Sequence, residues 1–139
     1  MSQELLEKAN SCLKQNNFPE AGKIFRQLWE IDNNAYCASR YIYCLRKAGY
    51  PSHGLSQGKK ASSQFPDNIY IQRELVWIYY DIIKIFNQEN NLKDATKNFE
   101  EMLKLNPDSL PLELAVFSIV NLAKEKKEWE IILNICRRC

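Results

Sequence analysis

His53 is the single histidine of this 139-residue chain, so any Ser-His-Asp or Cys-His arrangement would turn on it, and no catalytic signature stands beside it. Cys136-Arg137-Arg138-Cys139 has C-x-x-C spacing, and neighbouring arginines acidify thiols, which is the chemistry of a redox pair. No strand-helix-strand pattern surrounds it, so the plainer reading is a run of ordinary helix residues. Metal centres need several His, Cys or carboxylate ligands at set spacing, and none converges in the sequence. There is no Gly-rich phosphate loop, and paired acids such as Glu100 and Glu101 read as solvated helix surface. The expectation is a chain without catalytic residues, metal or cofactor.

The five cysteines (Cys12, Cys37, Cys44, Cys136, Cys139) are odd in number and scattered, which disfavours a disulfide framework and fits reduced thiols. Cys37 and Cys44, seven residues apart, are expected to pack as small apolar groups. The opening stretch MSQELLEKANSCLKQ lacks the basic and apolar regions of a secretory signal, and no run approaches about 18 apolar residues. A cytoplasmic protein without a membrane span is expected. With 45% hydrophobic and 26% charged residues and only 4 Gly and 5 Pro, the composition is that of one folded domain and not of a disordered chain. The net charge of +2 hides an asymmetry: residues 33 to 66 contain no Asp or Glu but carry Arg40, Arg46, Lys47, Lys59 and Lys60.

The elements follow from a recurring phrase: NNFPEAGKIF at 16–25, AGYPSHGLSQ at 48–57, NNLKDATKNF at 90–99 and KEWEIILNIC at 127–136. Each reads as the turn of a helical hairpin, with Phe18, Tyr50, Leu92 or Trp129 after a polar or Gly-containing pair. In two of them Ala-x-x-x-Phe comes next (Ala21 with Phe25, Ala95 with Phe99): a small residue lets two helices approach and the ring one turn on fills the space between them. Pro and capping residues at Asp32-Asn33-Asn34, Phe65-Pro66-Asp67 and Asn106-Pro107-Asp108-Ser109 close the pairs. Helices are thus predicted at about 2–15, 18–31, 35–48, 51–64, 68–88, 92–105, 110–125 and 127–138, with no strands. Trp29, Trp77 and Trp129, at interhelical spacing, are expected in the core.

On these residues the chain resembles the tetratricopeptide-repeat family, whose pattern runs W-x2-L-G-x2-Y, A-x3-F, P over about 34 residues. Leu92, Ala95, Phe99 and Pro107 stand at the family's spacing, and Leu5, Ala9, Phe18, Ala21 and Phe25 match next best. His53 and Gln57, and Ile132 and Cys136, replace the Ala and Phe in the second and fourth repeats. The resemblance implies an all-α, right-handed solenoid of about four antiparallel helix pairs, one domain over 1–139 with repeats at about 2–33, 34–67, 68–108 and 109–139. It also implies a concave groove lined by the first helix of each pair.

Counted along that register, the expected partner-binding residues are Leu6, Asn10 and Leu13, then Ala38, Ile42, Leu45 and Arg46, then Gln72, Arg73, Val76, Tyr79 and Tyr80. One subclass of the family grips chaperone C-termini with a carboxylate clamp, at whose positions this chain has Leu6, Asn10, Ser39, Ile69 and Arg73; only Asn10 and Arg73 agree, so that ligand is not expected. The implied function is a non-catalytic scaffold or adaptor holding a peptide or protein segment. A second reading takes Arg40, Lys47, Lys59 and Lys60, interleaved with tyrosines, as a patch for nucleic acid or an acidic peptide, against a solvated helix face. A third makes the chain a regulatory or oligomerisation segment of a larger enzyme. The last helix, with Ile131, Ile132, Leu133 and Ile135, is followed by no polar capping helix, which suggests an excerpt of a longer protein or self-association through that end.

Overall fold

The computed structural model describes residues 3–138. They form eight α-helices: α1 (Gln3–Lys14), α2 (Phe18–Asp32), α3 (Ala35–Lys47), α4 (Pro51–Gln64), α5 (Ile69–Gln88), α6 (Leu92–Leu103), α7 (Ser109–Glu125) and α8 (Trp129–Arg138). No strand occurs among the described residues. Each predicted helix is present, with ends moved by at most two residues. None of the helices is long and apolar enough to cross a membrane.

The recurring phrase turns out to be one hydrogen-bonded turn used four times. Asn16, Gly49, Asn90 and Lys127 each adopt positive φ just after a helix. In each case the next residue donates its N–H to a carbonyl five back: Asn17 to Cys12 (2.8 Å), Tyr50 to Leu45 (2.9 Å), Asn91 to Phe86 (2.8 Å) and Glu128 to Ala123 (2.8 Å). The positive-φ residue itself bonds three back, to Leu13, Arg46, Asn87 and Lys124. This is the Schellman closure, which satisfies the last carbonyls of a helix and favours Asn or Gly at the left-handed position because their side chains clash least there. The following helix always begins two residues after the positive-φ residue, at Phe18, Pro51, Leu92 and Trp129.

That register corrects the second repeat by one residue. Pro51, not Tyr50, takes the place of Phe18, and Tyr50 occupies the cap position. The residues equivalent to Ala21 and Phe25 are therefore Gly54 and Gly58, both buried, and not the expected His53 and Gln57. A Cβ on Gly54 would lie 3.1 Å from Ile78 Cδ1, and one on Gly58 only 2.5 Å from Leu75 Cδ2. Two glycines where the first and third repeats carry Ala and Phe thus bring α4 hard against the first part of α5.

The chain divides within α5 into two compact units, one up to Ile78 and one from Tyr79 onward. In the first, α1 packs on α2, α2 on α3 and α3 on α4, and the core is built from Ala21, Phe25, Leu28, Cys37, Ile42, Cys44 and Ile71. Trp29 is buried there and donates its indole N–H to Gln64 Oε1 (2.9 Å). In the second, α6 packs on α7 and α7 on α8 around Ile83, Phe99, Met102 and Ile119. A fully buried aliphatic or aromatic side chain contributes about 1.5–3 kcal/mol, so these residues dominate each unit's stability. Trp129 departs from expectation: at the first position of α8 it is 57% exposed, since α8 turns Ile135 inward instead. Trp77 is half-buried.

Candidate functional site

The site begins with the absence of acids from α3. Asn34 caps the helix by accepting the Cys37 N–H (3.1 Å), and Arg46 and Lys47 fall in the last turn, where the helix dipole favours cations. Positions 40, 43, 46 and 47 recur at three- and four-residue spacing, so they share one face. The Tyr43 ring is fixed edge-on against Phe18 at 6.0 Å between centroids. Around it gather three cations: the Arg40 guanidinium 4.4 Å from the ring centroid, Arg46 at 5.5 Å and the Lys47 ammonium at 5.8 Å.

Only one of the three is balanced by a carboxylate that the fold brings in. Arg46 Nε donates to Glu74 Oε2 of α5 at 3.3 Å, and the two side chains are just 14% and 17% exposed. Arg46 also lies 5.9 Å from the Trp77 ring. Burial raises the Glu74 carboxyl above its usual range, outweighing the attraction and hydrogen bond of Arg46 and the charges of Arg40 and Lys47. Among the described residues neither Arg40 nor Lys47 forms an ion pair, and Arg40 Nε is buried without a hydrogen-bond partner. The arrangement is one ion pair, Arg46 with Glu74, and two further cations gathered at one aromatic ring.

The residues expected to line a groove divide by burial. Leu6, Asn10 and Leu13 on α1 and Leu45 on α3 are half-buried and remain at the surface. Ala38, Ile42 and Val76 belong to the core instead. Ile42 is fully buried because Gly58 lets α4 close over it: a Cβ on Gly58 would be 3.9 Å from Ile42 Cγ2. Gln72 is half-buried and its amide reaches the Pro66 carbonyl at 3.5 Å, tying down the loop before α5, while Arg73 is exposed. In the second unit Tyr79 is core, 5% exposed, and burial raises its hydroxyl pKa with a smaller push from Glu101. Tyr80 is half-buried with the Lys84 ammonium 5.4 Å from its ring.

The expected basic patch also separates. Arg40 and Lys47 join Arg46 at Tyr43, whereas Lys59 and Lys60 are on α4, with Lys60 lying 5.3 Å from the Trp29 ring. Sequence reasoning missed Glu74, which lies 28 residues from its partner and carries no local signal.

The remaining chemistry-bearing residues stay apart. His53 is exposed, with Nε2 3.3 Å from the Tyr41 hydroxyl. Cys12, Cys37 and Cys44 are buried free thiols, the last pushed up to about 12 chiefly by desolvation. Cys136 is an exposed free thiol on α8, and Cys139 lies outside the described residues. No group of three or more His, Cys, Asp or Glu positioned for a metal ion occurs among the described residues. In the second unit α8 leaves Trp129 and Leu133 exposed, and α7 does the same with Leu110, Leu114 and Phe117. No protein-family model matches the chain, and no curated protein matches its sequence.

Proposed function

We propose that the chain is a non-catalytic, cytoplasmic scaffold of tetratricopeptide-repeat type, a right-handed solenoid of four helix pairs that holds a peptide or protein segment of a partner. Four copies of one turn scheme, joining helices that pack on their neighbours, support the repeat reading. The buried free thiols fit a reducing compartment. What carries the functional reading is the cluster at Tyr43: two cations without ion-pair partners on a ring held rigid from behind. A surface that keeps unmatched charge in a fixed geometry is preorganised for a ligand, because little side-chain entropy is lost on binding.

The test is affinity capture from nuclease-treated native lysate on the immobilised chain, with Arg40→Glu/Lys47→Glu as comparison. The wild type is expected to retain a defined set of proteins that the charge-reversed variant loses, while circular dichroism shows the helices intact. An identical set on both, or no retained protein, would count against the reading.

A further inference from the structure

We propose that the face of α3 formed by Tyr36, Arg40, Tyr43 and Lys47 binds an acidic peptide segment, with its carboxylates seated by the Arg40 guanidinium and the Lys47 ammonium beside the Tyr43 ring. The inference rests on the protein-binding reading and adds the chemistry of what is bound.

The first argument is charge. Arg40, Arg46 and Lys47 surround one ring, yet Glu74 pairs with Arg46 alone, and no acid occurs between residues 33 and 66 to serve the other two. Like charges held together repel, and Glu74 offsets only part of that repulsion, so an anion seated beside Arg40 and Lys47 relieves the rest. Glu74 cannot turn to serve Arg40 or Lys47 without giving up its hydrogen bond from the largely buried Arg46.

The second argument is shape. Tyr36, Arg40, Tyr43 and Lys47 stand four, seven and eleven residues along one helix face, a length of roughly 16 Å at 1.5 Å per residue. That matches about five residues of extended chain. Tyr36 is half-exposed at one end and is itself braced edge-on by Phe25 at 6.3 Å, which gives an apolar residue of the segment a place beside the carboxylate sites. A nucleic-acid strand would need cations spaced along its backbone, but Lys60 lies over Trp29 on α4 and does not extend the row.

The experiment is selection of a displayed library of random ten-residue peptides on the full chain, followed by fluorescence anisotropy of the selected peptides and of a twelve-nucleotide oligothymidylate. Selected peptides should be enriched in Asp and Glu. Arg40→Gln and Lys47→Gln should each weaken their binding about tenfold, the scale of one charge-assisted hydrogen bond, with Lys59→Gln without effect and the thermal melt unchanged. Selected peptides lacking acidic enrichment, or acidic peptides indifferent to Arg40→Gln and Lys47→Gln, would overturn the inference and leave the protein-binding reading standing. Failure to select any peptide, together with failure of lysate capture, would remove both. Oligothymidylate binding that depends on Arg40 and Lys47, without acidic-peptide binding, would make the cluster a nucleic-acid site.

Discussion

Removing Arg46 should damage the chain far more than neutralising its partner Glu74, and the difference should depend on pH. Both side chains are about one-sixth exposed. Arg46→Ala leaves a largely buried carboxylate without its hydrogen-bonded cation, a change that costs about 3–5 kcal/mol at a fully buried pair and about 2–4 kcal/mol here once partial solvent screening is allowed for. Glu74→Gln keeps an acceptor for Arg46 Nε and removes the charge that burial penalises, while Tyr43 and Trp77 still flank the guanidinium. Its cost should stay within about 1 kcal/mol. The sign with pH follows from the raised Glu74 pKa, which burial causes against the opposing pull of Arg46. The folded chain holds this proton more tightly than the unfolded chain. The group's contribution is therefore full below the ordinary carboxylate range and is lost as pH rises through the raised value. Arg46→Ala raises that value further, by about 1.4 kcal/mol of lost stability for each pH unit, so its deficit should be larger at pH 8 than at pH 5. Urea unfolding at the two pH values, in a Trp129→Phe background so that fluorescence reports Trp29 and Trp77 of the first unit, measures both effects. Equal costs for the two substitutions, or an Arg46→Ala deficit independent of pH, would refute the reasoning.

Two further outcomes follow from the packing. Gly58→Ala should destabilise the first unit by about 1–2 kcal/mol despite the better helix propensity of Ala, because its methyl group collides with the buried Leu75; adding Leu75→Ala should recover part of the loss, and a stabilised Gly58→Ala in a thermal melt would contradict the close approach. Iodoacetamide at pH 8 should modify the exposed Cys136 at once but Cys44 only as fast as the chain opens, since burial holds that thiol protonated up to about pH 12, and mass spectrometry showing equal rates would contradict that burial.

How far the sequence could be read depends on the range of the interaction responsible for each feature. The hairpin turns were legible because a Schellman closure is a contact within five residues, and Asn16, Asn90 and Gly49 are residue types that accept the left-handed conformation it needs. Lys127 adopts the same conformation without that preference, and only the repetition of the phrase revealed it. The second repeat slipped by one residue because aromatic Tyr50 looks like the counterpart of Phe18, although Pro51 is the better first residue of a helix, having no N–H to leave unsatisfied.

The proposed binding face was less legible because a residue's fate on a helix surface is decided by what the neighbouring helix lacks. Ile42 reads as a groove residue by register and becomes core because Gly58 has no side chain to hold α4 away. Arg46 reads as a ligand contact and becomes a largely buried, paired charge because α5 delivers Glu74 to it. The same delivery gives Arg46 its carboxylate and leaves Arg40 and Lys47 at the Tyr43 ring without an ion pair among the described residues. In the proposed site these two seat an anion from outside. The proposed site thus ties ligand choice to a pairing 28 residues apart in the chain, and substitutions at Glu74 should alter which ligands Arg40 and Lys47 accept without touching either residue.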